Sequence, residues 1–167
     1  LMAISASICK NFEESRAIFL PGQRFFNKAK TIYYTLQEHC TDYAEINQDL
    51  SQMHKVLIHF EEDPDRQFKM HKRRIDLLEE ISNELNISVY KLLVRQVLFE
   101  VAEIYSAMMD IKLEKWRKIQ DTSSTTDCST LANKINALIR LSINNFKAFQ
   151  ETLKNSDGSG FPETFSE

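Results

Sequence analysis

Apolar residues recur at three- and four-residue steps through nearly the whole chain, and no segment alternates with the two-residue period of a strand bounded by turn residues. The spacing predicts an all-α protein of five helices. The best-formed patterns lie in the run 63–112. There Asp63 is placed to cap a helix whose first position is Pro64, and Asn86 or Ser88 is placed to cap the next. The first of these helices carries Phe68, His71, Ile75, Leu78, Ile81 and Leu85 on one stripe. The second carries Val89, Leu93, Val97, Val101, Ile104, Met108 and Ile111, widened by Leu92, Phe99, Tyr105 and Met109, as expected of an inner helix. A short connection between them predicts an antiparallel pair.

Upstream, Phe12, Ile18, Phe19, Gly22, Phe25, Ala29, Ile32, Tyr33 and Leu36 predict a helix kinked or split at Pro21, because proline removes one backbone hydrogen bond. The Gly22, Phe25 and Ala29 spacing is similar to the small-aromatic-small packing of tetratricopeptide helices. Asp42 and Glu45 form a capping-box pattern ahead of Tyr43, Ile46, Leu50, Met53, Leu57 and Phe60. Beyond 112 the helix extends through Trp116 to Ile119, and the polar run 120–126 predicts a loop. Asp127 or Ser129 then caps a last helix with the stripe Leu131, Ile135, Leu138, Ile139, Ser142, Phe146, Phe149 and Leu153. The expected division is a helical-repeat segment over 1–154 and a Gly- and Ser-containing flexible tail over 155–167. Five helices of this kind form either a closed bundle or a slice of an α-solenoid.

Composition narrows the function classes. With 43% hydrophobic and 27% charged residues, 167 residues are compatible with one soluble domain, and only 3 Gly and 3 Pro favour long regular elements. A formal charge of -3 gives no general attraction to nucleic acid or anionic membrane, and the apolar start at 1–9 is too short to span a bilayer. A chain that begins with Leu reads as a piece of something longer. Cys9, Cys40 and Cys128 are odd in number, widely spaced and without zinc-ligand spacing, which predicts reduced thiols in a cytoplasmic protein. Asn86-Ile87-Ser88 matches a glycosylation acceptor, but capping chemistry accounts for it and no secretory signal accompanies it.

No HExxH, GxSxG or Gly-rich phosphate loop occurs, and no histidine has Glu three positions before it, as a di-iron bundle would need. Glu100 and Glu103 read as a solvated or salt-bridged helix face rather than an acid pair. No catalytic residue, cofactor or metal is therefore expected. The polar feature that stands out follows Glu61, Glu62, Asp63 and Asp65: Arg66, Lys69, Lys72 and Arg73 lie at helical steps along one side, away from Phe68, Ile75 and Leu78. Two readings fit it, a solvated face balanced by local acids and a basic patch that meets an acidic protein surface.

Several blocks resemble the kinesin-binding protein family: Phe60-Glu61-Glu62-Asp63, Lys69-Met70-His71-Lys72-Arg73-Arg74-Ile75, Arg95-Gln96-Val97-Leu98-Phe99-Glu100 and Met108-Met109-Asp110-Ile111-Lys112. Phe12-Glu13-Glu14-Ser15-Arg16, Gly22-Gln23, Val56-Leu57, Lys134-Ile135-Asn136 and Phe161-Pro162-Glu163 fit in the same order. The resemblance is to the C-terminal part of that family. It implies a tetratricopeptide-like α-solenoid of antiparallel helix pairs. It also implies a non-enzymatic scaffold that binds kinesin motor domains and keeps them from microtubules, affecting organelle and axonal transport; the one-sided charge pattern makes Arg66, Lys69, Lys72 and Arg73 the candidate partner-facing residues. A generic helical adaptor for another protein would share the patterns without the Lys-Met-His-Lys-Arg-Arg block. A helical-bundle enzyme would need a closed polar pocket.

Overall fold

In a computed structural model the described residues are 8–35, 40–84, 89–120 and 125–154. They form five helices: α1 (Phe12–Thr35), α2 (Cys40–His59), α3 (Pro64–Glu84), α4 (Lys91–Gln120) and α5 (Thr125–Leu153). No strand occurs among the described residues. The chain divides into two compact units, Leu1–Leu85 with α1 to α3 and Asn86–Glu167 with α4 and α5. The run 63–112, expected as one helix pair, is shared between them: α3 packs on α2, and α4 packs on α5. The architecture is all-α, built of packed adjacent helix pairs, and consistent with an α-solenoid segment.

In the first unit, helix starts follow local chemistry. The Asn11 carboxamide oxygen accepts the Glu14 N–H at 2.9 Å, and the Glu14 carboxylate accepts the Lys10 N–H at 2.8 Å, a reciprocal cap for α1. Asp63 caps α3 as expected, its carboxylate accepting the Asp65 N–H at 2.9 Å while Pro64 takes the first helical position. α2 begins at Cys40, so Asp42 lies in its first turn instead of preceding it. α1 runs as one helix through Pro21, although proline has no N–H for the Ala17 carbonyl.

The partners along α1, α2 and α3 show antiparallel packing. The Phe19 ring packs tilted against His54 at 4.8 Å between ring centres, and a Cβ on Gly22 would lie 2.7 Å from the Met53 Cε, so the missing side chain lets α1 approach α2. Further along, the Lys30 ammonium sits 5.6 Å from the Tyr43 ring and pairs with Glu80, which also accepts the Tyr43 hydroxyl at 3.0 Å. One side chain from each helix thus closes that end of the unit. Phe19, Leu57, Ile58 and Met70 form an apolar cluster at the other end, with Phe12 and Met53 against it.

α2 is the inner helix of this unit and is buried on two faces. The expected stripe supplies Tyr43, Ile46, Leu50 and Leu57; a second one, Ala44, Asn47, Ser51, His54 and Ile58, steps by three and four between polar and apolar positions. Two expectations for α1 are corrected. Phe25 and Ile32 are 69% and 59% exposed, whereas Ser15 and Phe19 are buried, because α2 covers only one edge of a wide apolar arc. Of the kink or split expected at Pro21, the split does not occur, since α1 is one uninterrupted helix.

In the second unit, Val94, Val97, Val101, Ala102, Ile104 and Met108 are buried on α4, and Leu131, Ile135, Leu138 and Ser142 on α5. The helices run antiparallel, since Arg95 bonds to Thr152 while Ser142 donates to the Ala102 carbonyl at 2.9 Å. Val97 and Ile104 are each 1% exposed, as the apolar period requires. Val89 and Leu92, assigned to that stripe by sequence, are instead 68% and 73% exposed, because α4 starts at Lys91 and its stripe turns through Val94. Asn86 and Ser88, most of the expected loop and the tail over 155–167 lie outside the described residues.

Candidate functional site

α3 positions all four of the basic residues singled out from sequence, and all four are exposed. Its other side is buried through Met70, His71, Arg74, Ile75, Leu78 and Ile81, which fixes the rotation of the helix and turns Lys69, Lys72 and Arg73 outward. Among the described residues, these three have no ion-pair partner. Farther along the same helix the surface turns acidic through Asp76, Glu79 and Glu80. The positive surface is thus confined to the first half of α3.

Arg66 differs from the other three. Its Nε lies 3.0 Å from the Glu61 carboxylate, and its guanidinium stands 5.0 Å from the centre of the Phe12 ring. Glu61 is buried and its other oxygen accepts the Asp63 N–H at 3.0 Å. Arg66 therefore fastens the start of α1 to the α2–α3 connection. It neutralises a carboxylate that would otherwise be costly to bury.

Two grooves border this surface. One of about 210 Å³ is lined by Gln23, Asn27, His54, Arg73, Asp76 and Glu80, among others; one of about 480 Å³ by Lys10, Phe12, His59, Phe60, Glu62 and Arg66, among others. His54, which lines the first, and His71 are both buried. His54 is lowered to about 4 by burial and by Arg73 and Arg74, and His71 to about 4 by burial and by Arg74, so both are neutral at pH 7. Arg74, buried beside them, donates from Nε to the Ser51 hydroxyl at 3.2 Å. Sequence patterning placed Arg74 in the charge run and gave no sign that it turns inward.

The described residues bring together no group of three or more His, Cys, Asp or Glu side chains fit to hold a metal. Cys9, Cys40 and Cys128 are half-buried thiols. No helix among the described residues is long and apolar enough to cross a membrane. What the geometry offers is a helical surface with a localised positive patch on α3.

The fold defines a scaffold of packed helix pairs. The chain belongs to the KIF-1 binding protein family, whose C-terminal model it matches over residues 2–167. It is 42% identical over 160 residues to the KIF-binding protein of Danio rerio, covering 96% of this chain and 24% of that one. The KIF-binding proteins of Homo sapiens and Drosophila melanogaster are 37% and 27% identical, over 94% and 87% of this chain and 24% and 23% of theirs. The chain therefore spans about a quarter of the length of these relatives. No solved structure matches it.

Proposed function

We propose that this chain is a non-enzymatic scaffold of the cytoplasm that binds kinesin motor domains and hinders their engagement with microtubules, and so affects organelle and axonal transport. The observation that carries this reading is the exposed trio Lys69, Lys72 and Arg73, on a helix whose opposite side is locked into the core of a KIF-1 binding protein family member. Charged side chains held by a rigid helix present a field before contact, which speeds encounter with an acidic surface and fixes its register. Arg66 supports the surface from its edge through Glu61 and Phe12.

The test is direct binding of the purified chain to a kinesin motor domain, followed by pelleting of that motor with microtubules. Binding together with a smaller pelleted fraction is expected. A motor that pellets equally with and without the chain contradicts the proposed hindrance, and a chain that does not bind contradicts the partner.

A further inference from the structure

Between α1 and α3, over a floor that α2 provides, lies the groove of about 210 Å³ that takes in Arg73. Every described residue lining it belongs to these three helices, so the groove is complete within the first unit. The pair Lys30 and Glu80 bridges α1 to α3 at one end, and the Phe19 ring stands against His54 at the other. A helix is about 10 Å across with its side chains and cannot enter so small a space. A single side chain or a small molecule can.

The lining leaves its polar groups unused. His54 is 3% exposed, and its Nδ1 has no hydrogen-bond partner, although a ring nitrogen buried away from water normally has one. Around it stand the carboxamides of Gln23 and Asn27 and the guanidinium of Arg73, none of them hydrogen-bonded among the described residues. All four side chains can donate, the amides and Arg73 always and the His54 Nδ1 in one tautomer. Charge then selects the acceptor. The charges that act on the His54 imidazole are those of Arg73 and Arg74, and they help to keep it neutral. Of the two acids on the rim, Glu80 is taken up by Lys30 and by the Tyr43 hydroxyl, which leaves Asp76, one turn along α3 from Arg73. The His54 end of the groove is thus rich in donors and positive in potential, and a ligand cation would meet two arginines there.

We infer that this groove is a socket for one carboxylate, held by Arg73 and the Gln23 and Asn27 amides beside the His54 ring, with its aliphatic stem against Leu50 and Leu77. The carboxylate belongs to an acidic side chain of a bound protein or to a small free acid. The socket shares Arg73 with the proposed motor contact, but it is defined without a motor, so either can fail alone.

The test follows the histidine imidazole signals of the isotope-labelled chain at neutral pH during titration with acetyl-Gly-Glu-Gly-amide. The His54 signal is expected to shift saturably while that of the exposed His59 stays in place. Peptides with Gln or Lys at the central position are expected to leave His54 unmoved. Arg73→Gln should weaken binding of the acidic peptide about ten-fold and Asp76→Asn should strengthen it about three-fold, with thermal unfolding unchanged because both positions are exposed. Acetate separates the sources: an equal shift with acetate favours a small free acid, and a shift confined to the peptide favours a protein side chain. Equal shifts with the Glu and Gln peptides overturn the inference, as does binding of the Lys peptide that Asp76→Asn weakens. So does an unmoved His54, the result if water alone fills the groove.

Discussion

The two units solve the packing of adjacent helices with different chemistry. Between α4 and α5 the buried positions among the described residues are aliphatic apart from Met108 and Ser142, whose hydroxyl donates to a backbone carbonyl. Around α2 the interior contains Asn47, Ser51, His54, His71 and Arg74 among its aliphatic residues. An apolar seam is tolerant of small slips, because dispersion and burial are nearly non-directional. A buried guanidinium bonded to Ser51 tolerates much less, because a buried polar group displaced from its partner has lost water without compensation. The first unit therefore holds α3, with its outward cations, in one rotation. The second unit holds α4 and α5 together chiefly through area.

That difference is open to attack from both sides. The largest effect is expected in the apolar unit: Ile104→Ala leaves a cavity at a position 1% exposed and should cost about 2 to 5 kcal/mol in urea unfolding. Its loss of hydrogen-exchange protection should concentrate in α4 and α5. Val97→Ala, also 1% exposed, should cost about 1 to 3 kcal/mol.

Acid should act on the other unit. His54 and His71 titrate near 4 in the fold against 6.5 unfolded, so the unfolded chain binds their protons first as pH falls. Their contribution is fully present above pH 6.5 and is lost as pH drops from 6.5 through 4, at about 1.4 kcal/mol for each unit of displacement. All four histidines lie at positions 39, 54, 59 and 71, so none belongs to the second unit. Exchange measured at pH 7 and pH 5 should therefore show α1 to α3 losing protection more steeply than α4 and α5. Equal losses would contradict the assignment of a polar interior to the first unit alone.

Much of this was legible in the residue pattern. Periodicity set the number of helices, and Asp63-Pro64 set the start of α3. The last apolar stripe also placed Leu131, Ile135, Leu138 and Ser142 in the interior of α5. Patterning failed where a buried face is partly polar: Asn47, Ser51 and His54 keep the helical step, but their side chains carry no hydrophobic signal. It failed on α1 for the opposite reason, since Ile18, Phe25 and Ile32 of a wide apolar arc are exposed. On α3 the signal gave exposure but not engagement. Arg66 looks like Lys69 in sequence, and only the fold brings Glu61 and Phe12 to it.

Smaller effects sharpen the contrast. Arg74→Met should raise the pKa of both histidines toward 6.5 while leaving them below it, since burial, the larger cause, remains. Histidine chemical shifts read this directly, and unshifted values would remove Arg74 from their surroundings. Gly22→Ala should change stability by less than about 1 kcal/mol, because the gain in helix propensity opposes the displacement of the flexible Met53 end 2.7 Å away. Gly22→Leu, which has no such room, should be clearly destabilising.

The proposed motor contact is most directly tested by charge reversal at Lys69, Lys72 and Arg73 together, leaving Arg66 in place to hold Glu61. Affinity for a kinesin motor domain is measured at two salt concentrations for the native chain and for the Lys69→Glu, Lys72→Glu, Arg73→Glu variant. Exposed charges contribute about 0 to 1 kcal/mol each to stability, so thermal unfolding should barely move. The account predicts that native binding weakens as salt rises, and that the variant binds at least ten-fold more weakly with a flatter salt response. Equal affinity and equal salt dependence in the two proteins would contradict it.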